Sequence, residues 1–157
     1  MPVNGLQSLL TNPSPSDFKA LTGALYKVVS SPPGQRQWPS IRDCYHKDAR
    51  LVRTGRGAGG QAIFDVQSFD QYLLDVDAKL KDIEFRETEV THQCQVFGQV
   101  AQVSSVYEYQ LTAPGHEVNG RGVNFLTLVF DTTQWRIMSI IWDNERPGLP
   151  LPQALIS

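Results

Sequence analysis

Proton transfer at a carbon centre needs a carboxylate near the carbon and hydrogen-bond donors where enolate charge develops. In this chain Tyr45, Asp48 and Asp143 are residues of those types. Each also has a structural explanation. Asp48 falls where a strand begins, a place that favours side chains able to bond nearby backbone. Tyr45 can pack its ring in the core and keep its hydroxyl at a pocket rim. Histidine acid–base chemistry would fall to His46, His92 or His116. His46 is expected at a helix end, where a cation meets the carbonyl end of the helix dipole. His116 is expected in a polar loop, and His92 shares strand parity with Val90 and Cys94. No HxH or HxxxH spacing occurs, so no metal site is expected.

A second set of residues suits binding rather than reaction. Asn124, Ser139 and Asp143 interrupt otherwise apolar strands, and buried polar groups need partners. Asn124 and Ser139 therefore either bond each other across adjacent strands or face a ligand. With the rings of Trp38, Tyr45, Tyr72 and Tyr107 they make up the expected ligand-binding set. Arg121 beside Glu108 reads as a cross-strand ion pair. The run GRGAGG within Thr54 to Gly60 lacks the Lys-Ser/Thr ending of a phosphate loop and the strand and helix context of a dinucleotide site. It reads as a flexible connection, and no cofactor is expected.

The elements that must position these residues follow from hydrophobic periodicity. Phe18, Leu21, Leu25 and Val28 share one helical face, and a helix is expected from Ser16 to about Ser30. Trp38, Ile41 and Tyr45 suggest a short second helix, and Phe69, Tyr72, Leu73, Val76 and Leu80 a third that starts near Ser68. A short strand is expected over 48–53. From Asp82 the period becomes two, which predicts long strands over 83–96 and 99–111, a polar loop over 113–120, and strands over 123–130 and 135–142. Phe85, Glu87 and Glu89 have the opposite parity to Val90, Cys94 and Val96, so a bulge near Glu87 is expected, and bulges often bend a sheet beside a site. In the last strand Trp135, Ile137, Ser139, Ile141 and Asp143 share a parity. That face is expected to line the pocket, leaving Trp142 to a subunit interface. Residues 1–15 read as a tail and 146–157 as an extended arm.

Helices followed by a meander of strands predict an α+β protein, a single domain over 1–157 with helices packed on the concave face of a cone-like antiparallel sheet of four long strands and a short edge strand. A formal net charge of −2 gives no basic field for nucleic acid. No apolar window is long enough to span a membrane, and no signal peptide is evident. Cys44 and Cys94 fit reduced, buried thiols in the cytoplasm.

The order of elements resembles the nuclear transport factor 2-like superfamily, in its bacterial polyketide-cyclase-like (SnoaL-like) branch. The resemblance is carried by the aromatic turn leading into Tyr45-His46-Lys47-Asp48-Ala49, by Val100-Ala101-Gln102-Val103 through Glu108, by Arg121-Gly122-Val123-Asn124, and by Trp135-Arg136-Ile137 through Asp143. It implies a cone whose open end is a pocket. That superfamily includes isomerases, dehydratases, cyclases, oligomerisation domains and transport adaptors, so the fold does not choose a role. Three readings follow: binding of a small, partly apolar molecule in the cone; a cofactor-free isomerase, cyclase or dehydratase in the same pocket, using Tyr45 with Asp48 or Asp143; or an oligomerisation module whose cone is filled. A homodimer through the apolar sheet face is expected with the first.

Overall fold

The computed structural model of the protein describes residues 15–157. The expected tail lies outside these residues, except for Pro15, which opens the first helix. That helix, α1 (Pro15–Val29), buries Phe18, Thr22, Tyr26 and Val29 along one stripe. Two 3-10 turns, Trp38–Ser40 and Arg42–Cys44, lead into β1 (Tyr45–Arg56). Then come β2 (Ala62–Gln67), α2 (Phe69–Lys79), β3 (Glu84–Phe97), β4 (Val100–Ala113), β5 (His116–Phe130), β6 (Trp135–Asn144) and the short α3 (Gln153–Ile156). All six strands form one curved sheet in the order β2-β1-β6-β5-β4-β3, with β1 parallel to β6 and the other pairings antiparallel. One face carries α1, α2 and the core built from Phe18, Trp38, Leu51, Val103, Leu128 and Ile137.

Several expectations are corrected. Tyr45 does not end a helix. The inward spacing of Trp38 and Ile41 is met by i to i+3 bonds, Ile41 N–H to Trp38 O at 3.1 Å and Cys44 N–H to Ile41 O at 3.0 Å, and the chain then extends. The expected short strand is twelve residues long, because Thr54 to Arg56 pair with Phe64, Ile63 and Ala62 of an unforeseen edge strand. The glycine run contracts to a turn closed by Gly57 N–H to Gln61 O at 2.8 Å. The polar loop before Arg121 is mostly strand, since β4 and β5 pair from Ala113↔His116 onward. By contrast α2 starts as expected, with Ser68 and Gln71 exchanging side-chain and backbone bonds in a capping box.

Two bulges decide which side chains face inward. In β3 the register shifts between Glu89 and Thr91, so Val90 is left over and stands exposed. Phe85, Glu87 and Glu89 therefore share the inner face with His92, Cys94 and Val96. In β6 the register shifts between the pairs Thr127↔Ser139 and Leu128↔Ile137, leaving Met138 extra. Trp135 and Ile137 are inner before it, and Ile140, Trp142 and Asn144 are inner after it.

The arm after β6 is anchored and then crosses the outer face. Arg121 clamps Glu145 through Nε to Oε1 at 2.7 Å and Nη2 to Oε2 at 3.2 Å, and Glu145 accepts the Leu151 N–H at 2.7 Å. Thr91 and Gln93 side chains then donate to the Leu155 and Ala154 carbonyls. Arg121 faces Glu108 in register, as the sequence suggested, but its hydrogen-bonded partner is Glu145.

Candidate functional site

Between the helices and the inner face lies a cavity of about 410 Å³. Its walls are aromatic. On one side Tyr72 of α2 packs edge-on against Trp38 and Trp142, at 5.8 and 5.9 Å between ring centroids. On the other Tyr26, Tyr107, Tyr109 and Phe85 form a chain of contacts at 6.1 to 6.4 Å. Two glycines make room for the second wall. Gly120 and Gly122 of β5 face Tyr109 and Tyr107 across the ladder, and a Cβ on Gly122 would meet the Tyr107 hydroxyl, the Asn144 side chain and, at 2.6 Å, the Asp143 carbonyl. The Tyr107 hydroxyl is thereby free to donate to Asn144 Oδ1 at 2.6 Å.

Two carboxyls stand two residues apart on the inner face of β3 in opposite environments. Glu89 is saturated. Its Oε2 accepts from Thr22 at 2.8 Å, from the fully buried Ser105, and meets His92 Nδ1 at 3.1 Å. Because Ser105 donates to Glu89, it must accept from the Tyr26 hydroxyl at 2.6 Å, and Tyr26 in turn accepts from Asn124 at 3.0 Å. The network thus runs from Asn124 at the cavity wall to a carboxylate beneath α1. His92 Nε2 is buried with no partner among the described residues.

Glu87 is the reverse case. Its backbone is tied to Ser30, which exchanges bonds with the Glu87 N–H and carbonyl at 2.9 and 3.2 Å. Its carboxyl lines the cavity and has no hydrogen bond or ion pair among the described residues. Burial alone pushes it up to about 8, so at neutral pH it is mostly a neutral acid. The hydroxyls of Tyr72 and Tyr45, which line the same space, also have no hydrogen-bond partner among the described residues; burial raises both well above the ordinary phenol range. At the more solvent-exposed part of the lining, Arg53 and Lys79 share Asp75, at 3.9 and 3.0 Å, and the Arg53 guanidinium lies over Trp142 at 5.9 Å.

Of the expected ligand-binding residues, Trp38, Tyr45, Tyr72, Tyr107 and Asn124 line this cavity. Ser139 and Asp143 do not, which corrects the expected inner face of β6. The bulge at Met138 turns that parity outward beyond Ile137, so Ile140, Trp142 and Asn144 take the cavity side. Trp142 is accordingly a cavity residue and not an interface one. Asn124 and Ser139 do not bond each other, since they pair with Trp142 and Thr127 respectively. Asp143 is held by Arg146 at 2.7 and 3.2 Å; burial pushes its carboxyl up, but these bonds and the Asn144 N–H outweigh it and leave it below the ordinary carboxylate range. Asp48 lies in an irregular stretch of β1 between Tyr45 and Arg50, with its side chain 66% exposed and its N–H donated to His46 Nδ1. Tyr45 alone of the three candidate catalytic residues reaches the cavity. His116 is exposed at the start of β5. Sequence reasoning did not single out Glu87 or Tyr26 as site residues, although the parity clash in β3 pointed at the strand that holds Glu87.

No protein-family model matches the chain, and no curated protein matches it by sequence. Solved structures do. A nuclear transport factor 2-like protein from Cytophaga hutchinsonii superposes with a TM-score of 0.62 at 9% identity, over 85% of this chain and 99% of that one. The beta subunit of benzoate 1,2-dioxygenase from Burkholderia mallei gives 0.65 at 14%, over 90% and 97%. A protein described as a candidate ketosteroid isomerase, from Shewanella frigidimarina, gives 0.57 at 17%, over 83% and 95%. The fold is therefore nuclear transport factor 2-like, and at these identities the likeness concerns the fold alone.

Proposed function

We propose that the chain binds a small, partly apolar molecule in the cavity between its helices and the inner face of the sheet. The observation that carries this reading is the cavity itself: about 410 Å³, walled by aromatic rings and furnished with a few convergent polar groups. Those are the size and character of small-molecule sites. A module that serves only to oligomerise would fill its cone with side chains. The test is a ligand screen followed by thermal unfolding, with Leu25→Trp as the blocked form. Ligands should raise the wild-type midpoint and lose that effect in the variant. Hits that stabilise both forms equally would place binding elsewhere.

One observation favours a second reading, a cofactor-free isomerase, cyclase or dehydratase in the same cavity. Glu87 is a carboxyl poised near neutrality and facing open space, as general acid–base work requires, with the Tyr45 and Tyr72 hydroxyls available as donors. Under this reading Glu87→Gln abolishes exchange of α-protons in carbonyl substrates, whereas Asp48→Asn leaves it intact. Exchange that survives Glu87→Gln would remove Glu87 from the chemistry.

The binding reading includes a homodimer through the outer face of the sheet. Support comes from Phe125 and Ile141, cross-strand neighbours that are 50% and 43% exposed there. Sedimentation at micromolar concentration should give a dimer that Phe125→Asp converts to monomer, and a wild-type monomer would exclude it.

A further inference from the structure

Resting on the reading of the cavity as a ligand site, we propose that it selects molecules carrying a protonated amine on an apolar, ring-containing body, with the ammonium group seated at Glu87. The argument begins with charge. Three charged residues line the cavity, Arg53, Lys79 and Glu87. The two cations have an anionic neighbour, since both meet the single carboxylate of Asp75, and Arg53 also lies over the Trp142 ring. Glu87 has no cation of its own. Its carboxyl is raised by burial with no opposing contribution from any neighbouring positive group. A ligand that supplied the cation would give the Glu87 carboxyl, once ionised, the ion-pair partner that it lacks among the described residues.

The surroundings suit an ammonium more than they suit another donor or an anion. The titratable groups that face Glu87 from the packed elements are Tyr26 of α1, Tyr72 of α2, and Tyr107 and Tyr109 of β4, of which Tyr109 is its cross-strand partner and the other three phenols are raised in part by the Glu87 charge. Their rings, with that of Trp142, line the cavity, and a desolvated cation gains where it meets a ring face. An ammonium carries three N–H donors. The Glu87 carboxylate and the Tyr72 hydroxyl, neither with a hydrogen-bond partner among the described residues, can accept from them. The Asn124, Tyr26 and Tyr107 polar groups are already engaged with one another, with Ser105 and with Asn144, so they shape the site without competing for the ligand. A ligand carboxylate at the same place brings no cation to Glu87 and is repelled once that carboxyl loses its proton, so it binds more weakly than the amine.

The proton balance of this binding is specific. At pH 7 free Glu87 is mostly protonated, and an ammonium can pair with it only after the carboxyl ionises. Binding therefore releases one proton from Glu87 to solvent, about 0.9 per ligand on average at pH 7 for a group at about 8, and progressively less above that. No covalent step is involved.

Three matched probes test the proposal: 3-phenylpropylamine, 3-phenylpropan-1-ol and 3-phenylpropanoate, titrated by calorimetry in buffers of different ionisation enthalpy and by tryptophan fluorescence, which Trp38 and Trp142 report from the cavity wall. The amine should bind at least tenfold more tightly than the alcohol, and the carboxylate more weakly than either, with proton release on amine binding only. Glu87→Gln should erase both the amine preference and the proton release while the alcohol still binds. If the alcohol matches the amine, or the amine preference survives in Glu87→Gln, the amine assignment is wrong and the cavity reading stands. If none of the three binds at millimolar concentration, the cavity reading falls with it.

Discussion

Replacing Glu87 by Gln should change stability in a way that depends on pH, and the direction follows from where its carboxyl sits. In the unfolded chain the group titrates near the ordinary glutamate value of 4.5, and in the folded chain burial holds it at about 8. Below pH 4.5 both states carry the proton, and the glutamate costs nothing in charge. Between pH 4.5 and 8 the unfolded chain loses its proton while the folded chain keeps it, so stability falls as pH rises through this window and levels off above 8. The separation, 8 − 4.5 = 3.5 pH units, corresponds to about 5 kcal/mol at 1.36 kcal/mol per unit. Glu87 is half-buried and faces a cavity that admits water, so solvation recovers part of this, and about 2–3 kcal/mol is the expected difference above pH 8. Glutamine keeps the shape and carries no charge at any pH. Urea unfolding of both proteins at pH 4.5, 6, 7 and 8.5 should therefore show midpoints that coincide at the acid end and diverge steadily, with Glu87→Gln the more stable. Comparing the two proteins cancels every other titrating group. Parallel midpoints across the whole range would mean that the Glu87 carboxyl is solvated or paired when folded, and would refute the environment on which both the acid–base reading and the amine site depend.

Other consequences are as direct. Gly122→Ala puts a methyl against the Tyr107 hydroxyl, the Asn144 side chain and the Asp143 carbonyl, and should cost about 1–3 kcal/mol by overpacking, read as a lower unfolding midpoint. Ser105→Ala removes one donor from Glu89 and the acceptor of Tyr26 in a fully buried position, and about 1–3 kcal/mol of lost stability is expected from chemical denaturation. Arg121→Ala releases the carboxylate that holds the Leu151 N–H, so hydrogen exchange should speed up at Leu151 while amides in the centre of β5 keep their protection.

How much of this could be read from residues alone depended on whether a local pattern had one physical solution or two. The capping box at Ser68 and Gln71 followed by an amphipathic run has one solution, and α2 forms where the pattern puts it. The alternation from Ala101 to Leu111 also has one, and that face of β4 is inner throughout. Trp38, Ile41 and Tyr45 had two: aromatic and branched side chains spaced by three and four turn inward equally well from an α-helix or from paired 3-10 turns running into a strand. The edge strand β2 was hidden for a different reason. Ile63, Phe64 and Val66 are all largely exposed, so burial imposes no alternation on them, and pairing with β1 supplies the order instead.

The bulges mark the sharpest divide, because a strand read by parity alone assigns every residue beyond an unseen extra one to the wrong face. In β3 the sequence gives the bulge away: with no shift, either Phe85 or the pair Cys94 and Val96 would be turned to solvent. In β6 nothing gives it away, since Ile137, Met138, Ile140 and Ile141 are apolar on both parities. The register there is set by the neighbours: Leu128 and Leu126 of β5 must both pack inward, opposite Ile137 and Ile140, and only an extra residue between those two lets them. That shift is what delivers Trp142 to the aromatic wall and Asn144 to Tyr107, while the shift in β3 keeps Glu87 and Glu89 on the inner face together with His92. Of these, Glu89 is explained by its hydrogen bonds. Glu87 is not: its carboxyl forms no bond among the described residues, and by the pH dependence predicted above a glutamine would fit the same strand at less cost. A group held at such expense beside an open cavity is better accounted for by what enters the cavity than by what holds the fold together.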